Sequence, residues 1–173
     1  MRVRRATPSD ADRIAVVARE SCEAAYEGLL GDPALLETVR AEDYADGVRS
    51  FLRSVPETRG LRYDVVEVEG RVEGLAHYRF PPAETDSFVG RGECLLHSLY
   101  VAPDAWGEGL GTALVDAGDE RLPGRLSALV LGVLKGNRVG VGFYESAGFD
   151  RRGEAVLEVS GGEYDCWVYA RPR

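Results

Sequence analysis

The sequence predicts an α/β fold built on one mixed sheet with helices on both faces. Its local patterns follow the order β-α-α-β-β-β-α-β-α-β-β, which is typical of helices that cover a sheet. The run LSALVLGVL, residues 126–134, is continuously apolar, as expected of a strand that is covered on both faces. No repeat, linker or low-complexity segment interrupts the 173 residues, so residues 1–173 are predicted to form one domain.

The first third of the chain is predicted to hold one strand and two helical regions. Residues 1–6 are predicted to form a short strand. A helix over residues 7–30 follows, because Thr7 is a suitable N-cap, Pro8 occupies the first helical position, and apolar residues recur at helical spacing. A Gly-Asp-Pro sequence ends it, and a second helical region is expected over about residues 34–55.

The middle of the chain predicts three strands and the helix that follows them. Residues 61–80 hold two β-rich runs on either side of Glu69-Gly70, which is typical of a hairpin. Residues 93–101 form a further strand, and a glycine-rich turn leads from it into an amphipathic helix. The strand over residues 126–134 completes a β-helix-β unit, which is expected to be a right-handed parallel crossover.

The end of the chain is predicted to add a short helix and a closing hairpin. The helix covers residues 137–146, and Gly148 ends it because glycine tolerates the left-handed conformation that follows many helices. Residues 151–160 and 163–171 then form two strands on either side of Gly161-Gly162. With this hairpin, every strand of the order given above has a place in the chain.

Composition and charge exclude several classes of protein. The formal net charge of -8 argues against a nucleic-acid partner, which would select a basic face. No segment has the apolar length of a membrane span, and the amino-terminal residues lack the apolar core of a signal peptide, so no membrane partner is expected. Cys22, Cys94 and Cys166 have no metal-ligand spacing, which favours reduced thiols in a cytoplasmic protein.

A glycine-rich turn is the strongest functional signal in the sequence. Gly107, Gly109 and Gly111 lie in YVAPDAWGEGLGTALVDA, between a strand and a helix. Glycines at a helix N-terminus let backbone N–H groups hold a phosphate, but they also serve tight turns that need positive φ. The lysine of a P-loop is absent, and the turn comes too late in the chain for a dinucleotide fingerprint. From spacing alone, a structural turn and a phosphate-binding loop both remain open.

The segment LYVAPDAWGEGLGTALVDA resembles the cofactor motif of the GCN5-related N-acetyltransferase (GNAT) family, and GNRVGVGFYESAGF resembles a second motif of that family at about the usual distance. The resemblance covers essentially the whole chain. It implies a GNAT fold, a single mixed, mostly antiparallel sheet of six to seven strands, flanked by about four helices and splayed between strands 4 and 5. It also implies an acetyl-CoA-dependent N-acetyltransferase without a metal. Trp106 stands where the family usually has Gln or Arg, and Gly140 where it usually has Ala.

The resemblance also implies which residues hold acetyl-CoA. The main chain of the fourth strand would pair with the pantetheine arm, and one of its N–H groups would polarise the acetyl carbonyl. The backbone of the glycine turn would hold the pyrophosphate, more so because Trp106 replaces a side chain that often assists. Asn137 would contact the cofactor, cap the following helix, or do both. The expected cofactor-binding residues are Leu99, Tyr100, Val101, Gly107, Glu108, Gly109, Leu110, Gly111, Thr112 and Asn137.

The catalytic groups are expected on the fourth strand and in the second motif. The resemblance implies that Tyr144 protonates the leaving thiolate, since tyrosine keeps its proton at neutral pH. Leu95 and Gly132 stand where relatives often carry a catalytic Glu. Strict alternation would place Glu93, Leu95, His97 and Leu99 on one face of the strand, so Glu93 or His97 is the expected base. A histidine that is merely satisfied within the sheet is the alternative for His97.

The expected acceptor is the primary amine of a small molecule. A protein amino terminus or side chain is the alternative, made less favourable because relatives that modify ribosomal proteins usually have Glu at the position of Gly132. A non-catalytic acyl-CoA-binding module is a further alternative. Tyr26, Glu23 and Glu27 are candidates for an acceptor wall, and His77 is expected to be structural. A homodimer is among the assemblies that the family forms.

Overall fold

A computed structural model of the protein describes residues 1–26, 34–159 and 161–173. Within these ranges the strands are β1 (Arg2–Arg5), β2 (Leu61–Val68), β3 (Arg71–Arg79), β4 (Glu93–Val101), β5 (Ala128–Leu134), β6 (Asp150–Val159) and β7 (Gly162–Pro172). The helices are α1 (Ala11–Tyr26), α2 (Ala34–Arg40), α3 (Tyr44–Ser54), α4 (Leu110–Arg121) and α5 (Arg138–Ser146). The predicted order of elements is confirmed, except that the second helical region is divided into α2 and α3.

The seven strands form one sheet in the order β1-β2-β3-β4-β5-β7-β6. All neighbouring pairs are antiparallel except β4 and β5, so the predicted mixed, mostly antiparallel sheet and its parallel β-helix-β unit are confirmed. The parallel pairing covers only Glu93–Leu95 of β4 and Ala128–Val130 of β5. Beyond Leu95 the two strands no longer pair, which gives the predicted splay at the centre of the sheet.

A β-bulge interrupts β4 at the residue where the strands separate. Tyr78 of β3 pairs with Leu96, whereas His77 pairs with Ser98, so His97 is an extra residue on β4. Leu96 and Leu99 both pack in the core beneath α4. The expectation that Leu95, His97 and Leu99 share one face is therefore wrong for Leu99, because the inserted residue reverses the alternation.

Helices cover both faces of the sheet, as predicted. On one face, α4 packs on the core that contains Leu114 and Leu129. On the other, α1 and α3 pack on a core that contains Ile14, Leu52 and Leu75. Burial of these side chains supplies the main driving force for assembly of the layers.

Local contacts explain where several elements begin and end. Thr7 precedes a 3-10 turn rather than α1 itself, and its N–H donates to Asp10 Oδ2 at 2.8 Å. The predicted β2–β3 hairpin turns at Glu69 and Gly70, both of which have positive φ, as a type I′ turn requires. At the end of α5, Gly148 has a φ of 82°, which confirms the predicted stop. The expected end of the first helix, at the Gly-Asp-Pro sequence of residues 31–33, lies outside the described residues.

The described helices and side chains also bear on membrane spans, metal binding and the state of the thiols. None of the helices in the described ranges combines the length and apolar character needed to cross a bilayer. No group of three or more His, Cys, Asp or Glu side chains in the same ranges is arranged to hold a metal ion. The thiols of Cys22, Cys94 and Cys166 are buried and free.

Candidate active site

The three glycines around the start of α4 have two different roles: Gly107 and Gly109 precede the helix, and Gly111 lies in its first turn. Gly107 and Gly109 have φ values of 83° and 80°, and a Cβ at either position would meet no atom within 4 Å. Gly109 is the N-cap of α4, whose first N–H groups have no acceptor within the helix. Gly111 is needed for packing, because its Cβ would lie 2.8 Å from Phe143 Cε2 of α5. The turn therefore combines left-handed backbone with open space at a helix N-terminus.

Trp106 ties this turn to the end of β4. Its indole N–H donates to the carbonyl of Val101 at 2.7 Å, and its side chain is half-buried. The carbonyl at the splayed end of β4 thus has a partner within the protein. The residue at the family's usual Gln or Arg position holds the glycine turn against the strand, which is a contact that the sequence pattern did not reveal.

A cavity of about 860 Å³ opens where β4 and β5 separate, and we call it the larger cavity. On the β4 side, the edge beyond Leu95 has no strand partner from β5. Most of the predicted cofactor-binding residues come together here, whereas Glu108 is not among the described residues that line it. The predicted residues in its wall are Leu99, Tyr100, Val101, Gly107, Gly109, Leu110, Gly111, Thr112 and Asn137.

Asn137 is buried in the wall of the larger cavity, at the start of α5. Its Oδ1 accepts a hydrogen bond from the Gly140 N–H at 2.8 Å, which makes it the N-cap of the helix. A Cβ at Gly140 would lie 2.9 Å from Asn137 Nδ2. The glycine at position 140 therefore leaves room for the capping side chain. Asn137 also hydrogen-bonds to the side chain of Tyr26, which lines the same cavity.

Tyr144 of α5 lies in the same wall. Its ring makes edge contacts with Phe143 and Phe149, at centroid distances of 5.2 and 5.7 Å. Burial raises the pKa of Tyr144 above 10, and the neighbouring Tyr26 raises it further. The hydroxyl is therefore protonated at neutral pH and can donate a proton into the larger cavity.

His97 lies where the larger cavity meets a second one. This smaller cavity has a volume of about 610 Å³, and the residues that line both cavities are Thr38, Tyr44, His97, Ser98 and Tyr100. The His97 imidazole is accessible from the cavities, and its Nδ1 lies 2.9 Å from Ser98 Oγ. Although the ring is accessible, the protein around it excludes part of its hydration, which lowers the pKa of His97 below 6.5, and the Arg79 charge acts in the same direction. At neutral pH the ring is uncharged and can accept a proton.

Glu93, the other predicted base, is engaged elsewhere. Its Oε1 lies 2.6 Å from Arg152 Nη1, and its Oε2 accepts a hydrogen bond from the Gly90 N–H at 2.6 Å. The hydrogen bond from Arg152 lowers the pKa of Glu93 below 4.5. Glu93 is not among the described residues that line either cavity. The structure therefore brings together Tyr144 and His97 but not Glu93.

His77, which the sequence suggested to be structural, lines the smaller cavity together with Arg79. The His77 ring stacks on Tyr63 at 5.3 Å, makes an edge contact with Phe51 at 5.1 Å, and lies 4.9 Å from the His97 ring. Cross-strand register between β3 and β4 is the signal that could have revealed this contact, because His77 pairs with Ser98, next to His97.

Two residues of the predicted acceptor wall can be located as follows. The Glu23 Oε1 atom lies 2.8 Å from Arg40 Nε, in an ion pair. Glu27 lies outside the described residues.

Comparison with known proteins agrees with this geometry. Residues 30–149, more than half of the chain, match the sequence model of the acetyltransferase (GNAT) family. No curated protein sequence matches the chain.

Solved structures share the fold across nearly the whole chain. The PaiA N-acetyltransferase of Thermoplasma acidophilum in complex with coenzyme A has a TM-score of 0.75 and 17% identity, covering 99% of this chain and 98% of that one. The ribosomal-protein-alanine N-acetyltransferase of Brucella melitensis has a TM-score of 0.70 and 24% identity, with 100% of both chains covered. The yncA protein of Salmonella typhimurium with acetyl-CoA has a TM-score of 0.71 and 21% identity, covering 99% and 93%.

Proposed function

The chain belongs to the acetyltransferase (GNAT) family and is an acetyl-CoA-dependent N-acetyltransferase, and we propose that it acetylates the primary amine of a small molecule directly. The observation that carries the proposal is the position of His97, which lines both the larger and the smaller cavity. An amine in the smaller cavity would meet an acetyl donor in the larger cavity beside a neutral imidazole. Holding two reactants in this way accounts for much of the rate of a direct transfer.

The larger cavity fits acetyl-CoA. Gly107 and Gly109 leave open space at the N-terminus of α4, where backbone N–H groups and the helix dipole favour phosphate oxygens. The edge of β4 over Leu99–Val101 has no partner strand from β5 and offers main-chain groups to an extended pantetheine arm, except for the Val101 carbonyl, which Trp106 already engages. Asn137 lies in the same wall. When bound, acetyl-CoA supplies an acetyl group activated as a thioester.

Two side chains are assigned to proton transfer. His97 takes the proton of the acceptor amine, directly or through a water molecule, because its imidazole is neutral at pH 7 and lines both cavities. Tyr144 gives a proton to the departing sulfur, because its raised pKa keeps the hydroxyl protonated until the thiolate forms. A main-chain N–H of β4 polarises the acetyl carbonyl. We assign no catalytic role to Glu93, since Arg152 holds its carboxylate outside the cavities.

The smaller cavity has room for a small acceptor. Its volume of about 610 Å³ is typical of small-molecule sites. Side chains from α2, α3, β2, β3 and β4 form its described wall. One solved neighbour is named as a ribosomal-protein-alanine N-acetyltransferase, which makes a protein amino terminus the competing acceptor. At Gly132, where the family resemblance associates that activity with Glu, a Cβ would lie 3.1 Å from Leu157 Cδ1, so a longer side chain requires rearrangement.

The proposal is tested by measuring binding and turnover separately. Isothermal titration with acetyl-CoA is expected to show saturable binding, and NAD serves as the control that is expected not to bind. Release of free coenzyme A is then followed with a panel of small primary amines and, in parallel, with peptides that carry free amino termini. Turnover with small amines in preference to peptides supports the proposal. Turnover with peptides alone contradicts it and favours a protein acceptor.

A further inference from the structure

The smaller cavity contains polar atoms without partners. His77 is only 4% exposed, and its Nε2 is buried with no hydrogen-bond partner among the described residues. The Nε atom of Arg79, which follows His77 by two residues on β3, is also buried and has no hydrogen-bond partner among the described residues. Nearly all buried polar atoms in folded proteins have a hydrogen-bond partner, so these two unpartnered atoms distinguish His77 and Arg79 from the other described buried polar residues. Both residues line the smaller cavity.

Arg79 also places a positive charge beside the catalytic imidazole. Arg79, His77 and His97 line the same cavity, and desolvation lowers the pKa of both rings, with the Arg79 charge contributing to each shift. Burial raises the pKa of Asp86, and the Arg79 charge offsets part of this rise. Asp86 lines the larger cavity rather than the smaller one. Arg79 takes part in none of the ion pairs formed by the described side chains, in contrast to Arg4, Arg13 and Arg62.

We propose that the acceptor is an amino acid, whose carboxylate is bound by Arg79 and His77 while its amino group lies at His97. The inference rests on the proposed function, since it identifies the substrate class of the same site. A guanidinium matches the planar geometry of a carboxylate, and its hydrogen bonds to an anion are stronger than those between neutral groups. With a pKa lowered to about 3, His77 is neutral and has one N–H to donate, which can serve the same carboxylate.

The remainder of the wall indicates the side chain of the amino acid. Tyr44, Phe51 and Tyr63 line the smaller cavity and offer ring surfaces to an apolar or aromatic group. Glu37 and Asp43 line it as well and would repel a second carboxylate. Leucine, methionine, phenylalanine and tyrosine therefore fit the cavity better than aspartate and glutamate.

The test compares amines that differ only in the carboxylate. Free coenzyme A release is measured with L-phenylalanine against 2-phenylethylamine, L-tyrosine against tyramine, and L-leucine against 3-methylbutylamine. For at least one pair, kcat/KM is expected to be about tenfold to a hundredfold higher for the amino acid, as charge-assisted hydrogen bonds imply. In Arg79→Gln, the ratio of kcat/KM for the amino acid to kcat/KM for the matching amine is expected to fall close to one, mainly because the KM for the amino acid rises. Arg79→Lys, which keeps the charge but not the fork of donors, is expected to retain part of it.

Arg71→Gln is the matched control. Arg71 begins the same strand, is exposed, and contacts only Glu73 at 3.4 Å among the ion pairs of the described residues, so its removal is expected to leave the ratio unchanged. Titration with acetyl-CoA shows whether each variant still binds the cofactor.

The outcomes distinguish failure of the amino-acid inference from failure of the proposed function. Amines acetylated as fast as their amino-acid partners overturn the inference and leave the small-molecule function standing. A preference for the amino acid that survives in Arg79→Gln overturns the assignment to Arg79. If acetyl-CoA binds but peptides alone are acetylated, the proposed function fails and the inference fails with it.

Discussion

Gly109→Glu tests the glycine turn most directly, and Gly70→Glu provides a matched control. Both glycines have left-handed backbone, with φ values of 80° and 83°, and a Cβ at either position meets no atom within 4 Å. A non-glycine residue in this conformation costs about 1–2 kcal/mol, so both variants are expected to lose a similar amount of stability. Only position 109 lines the larger cavity, whereas Gly70 lies in the β2–β3 turn.

The effect on binding follows from charge. A carboxylate about 6 Å from one unit of phosphate charge, at an effective dielectric constant of about 20, is repelled by about 3 kcal/mol. The Kd of acetyl-CoA is therefore expected to rise at least about a hundredfold in Gly109→Glu, and the new side chain also fills space at the helix N-terminus. Isothermal titration gives the Kd, and thermal unfolding of both variants measures the shared cost in stability. An unchanged Kd in Gly109→Glu would refute the assignment of the turn to the cofactor.

The remaining predictions concern proton transfer and the role of Glu93. Tyr144→Phe is expected to lower kcat about tenfold or more while the Kd of acetyl-CoA changes little, and a normal kcat would mean that another group or water protonates the sulfur. His97→Gln is expected to lower kcat about a hundredfold. Because the pKa of His97 is lowered, its acid limb in the kcat/KM profile should lie below pH 6.5 and should vanish in this variant. Glu93→Gln is expected to keep kcat but lose stability. The folded pKa of Glu93 is below 4.5, so its ion pair with Arg152 stabilises the fold above that pH and is lost as the pH falls through the folded pKa. The difference in melting temperature between Glu93→Gln and the unmodified protein should therefore become smaller at acid pH. A large fall in kcat at pH 7 would instead indicate that Glu93 is one of the catalytic groups.

The element order was predictable because it is encoded locally. Periodicity over residues 93–134 indicates strand, helix and strand, and proline or glycine marks most ends. The division of the second helical region at residues 41–43 was missed, since these three residues include neither proline nor glycine. The cavity wall near Tyr144 was also accessible from sequence, but only because two motifs resemble a known family at the right separation.

Contacts between distant strands were not predictable in the same way. His77 and Arg79 have no local feature that separates them from other polar residues of a strand. Their role depends on the register of β3 against β4, and that register shifts at His97. A bulge of one residue leaves the composition of a strand unchanged, so alternation alone assigned Leu99 to the wrong face.

The bulge explains how residues of one strand line both cavities. In a regular strand, His97 and Leu99 would share a face and Tyr100 would lie on the other. With the extra residue, Tyr100 packs toward the core beneath α1 and α3, where the smaller cavity lies, while Leu99 and Val101 pack toward α4 and the glycine turn. Trp106 then fixes that turn to the Val101 carbonyl. The splay of β4 from β5 opens the sheet, and the bulge places His97 at the opening, where it lines both the smaller and the larger cavity.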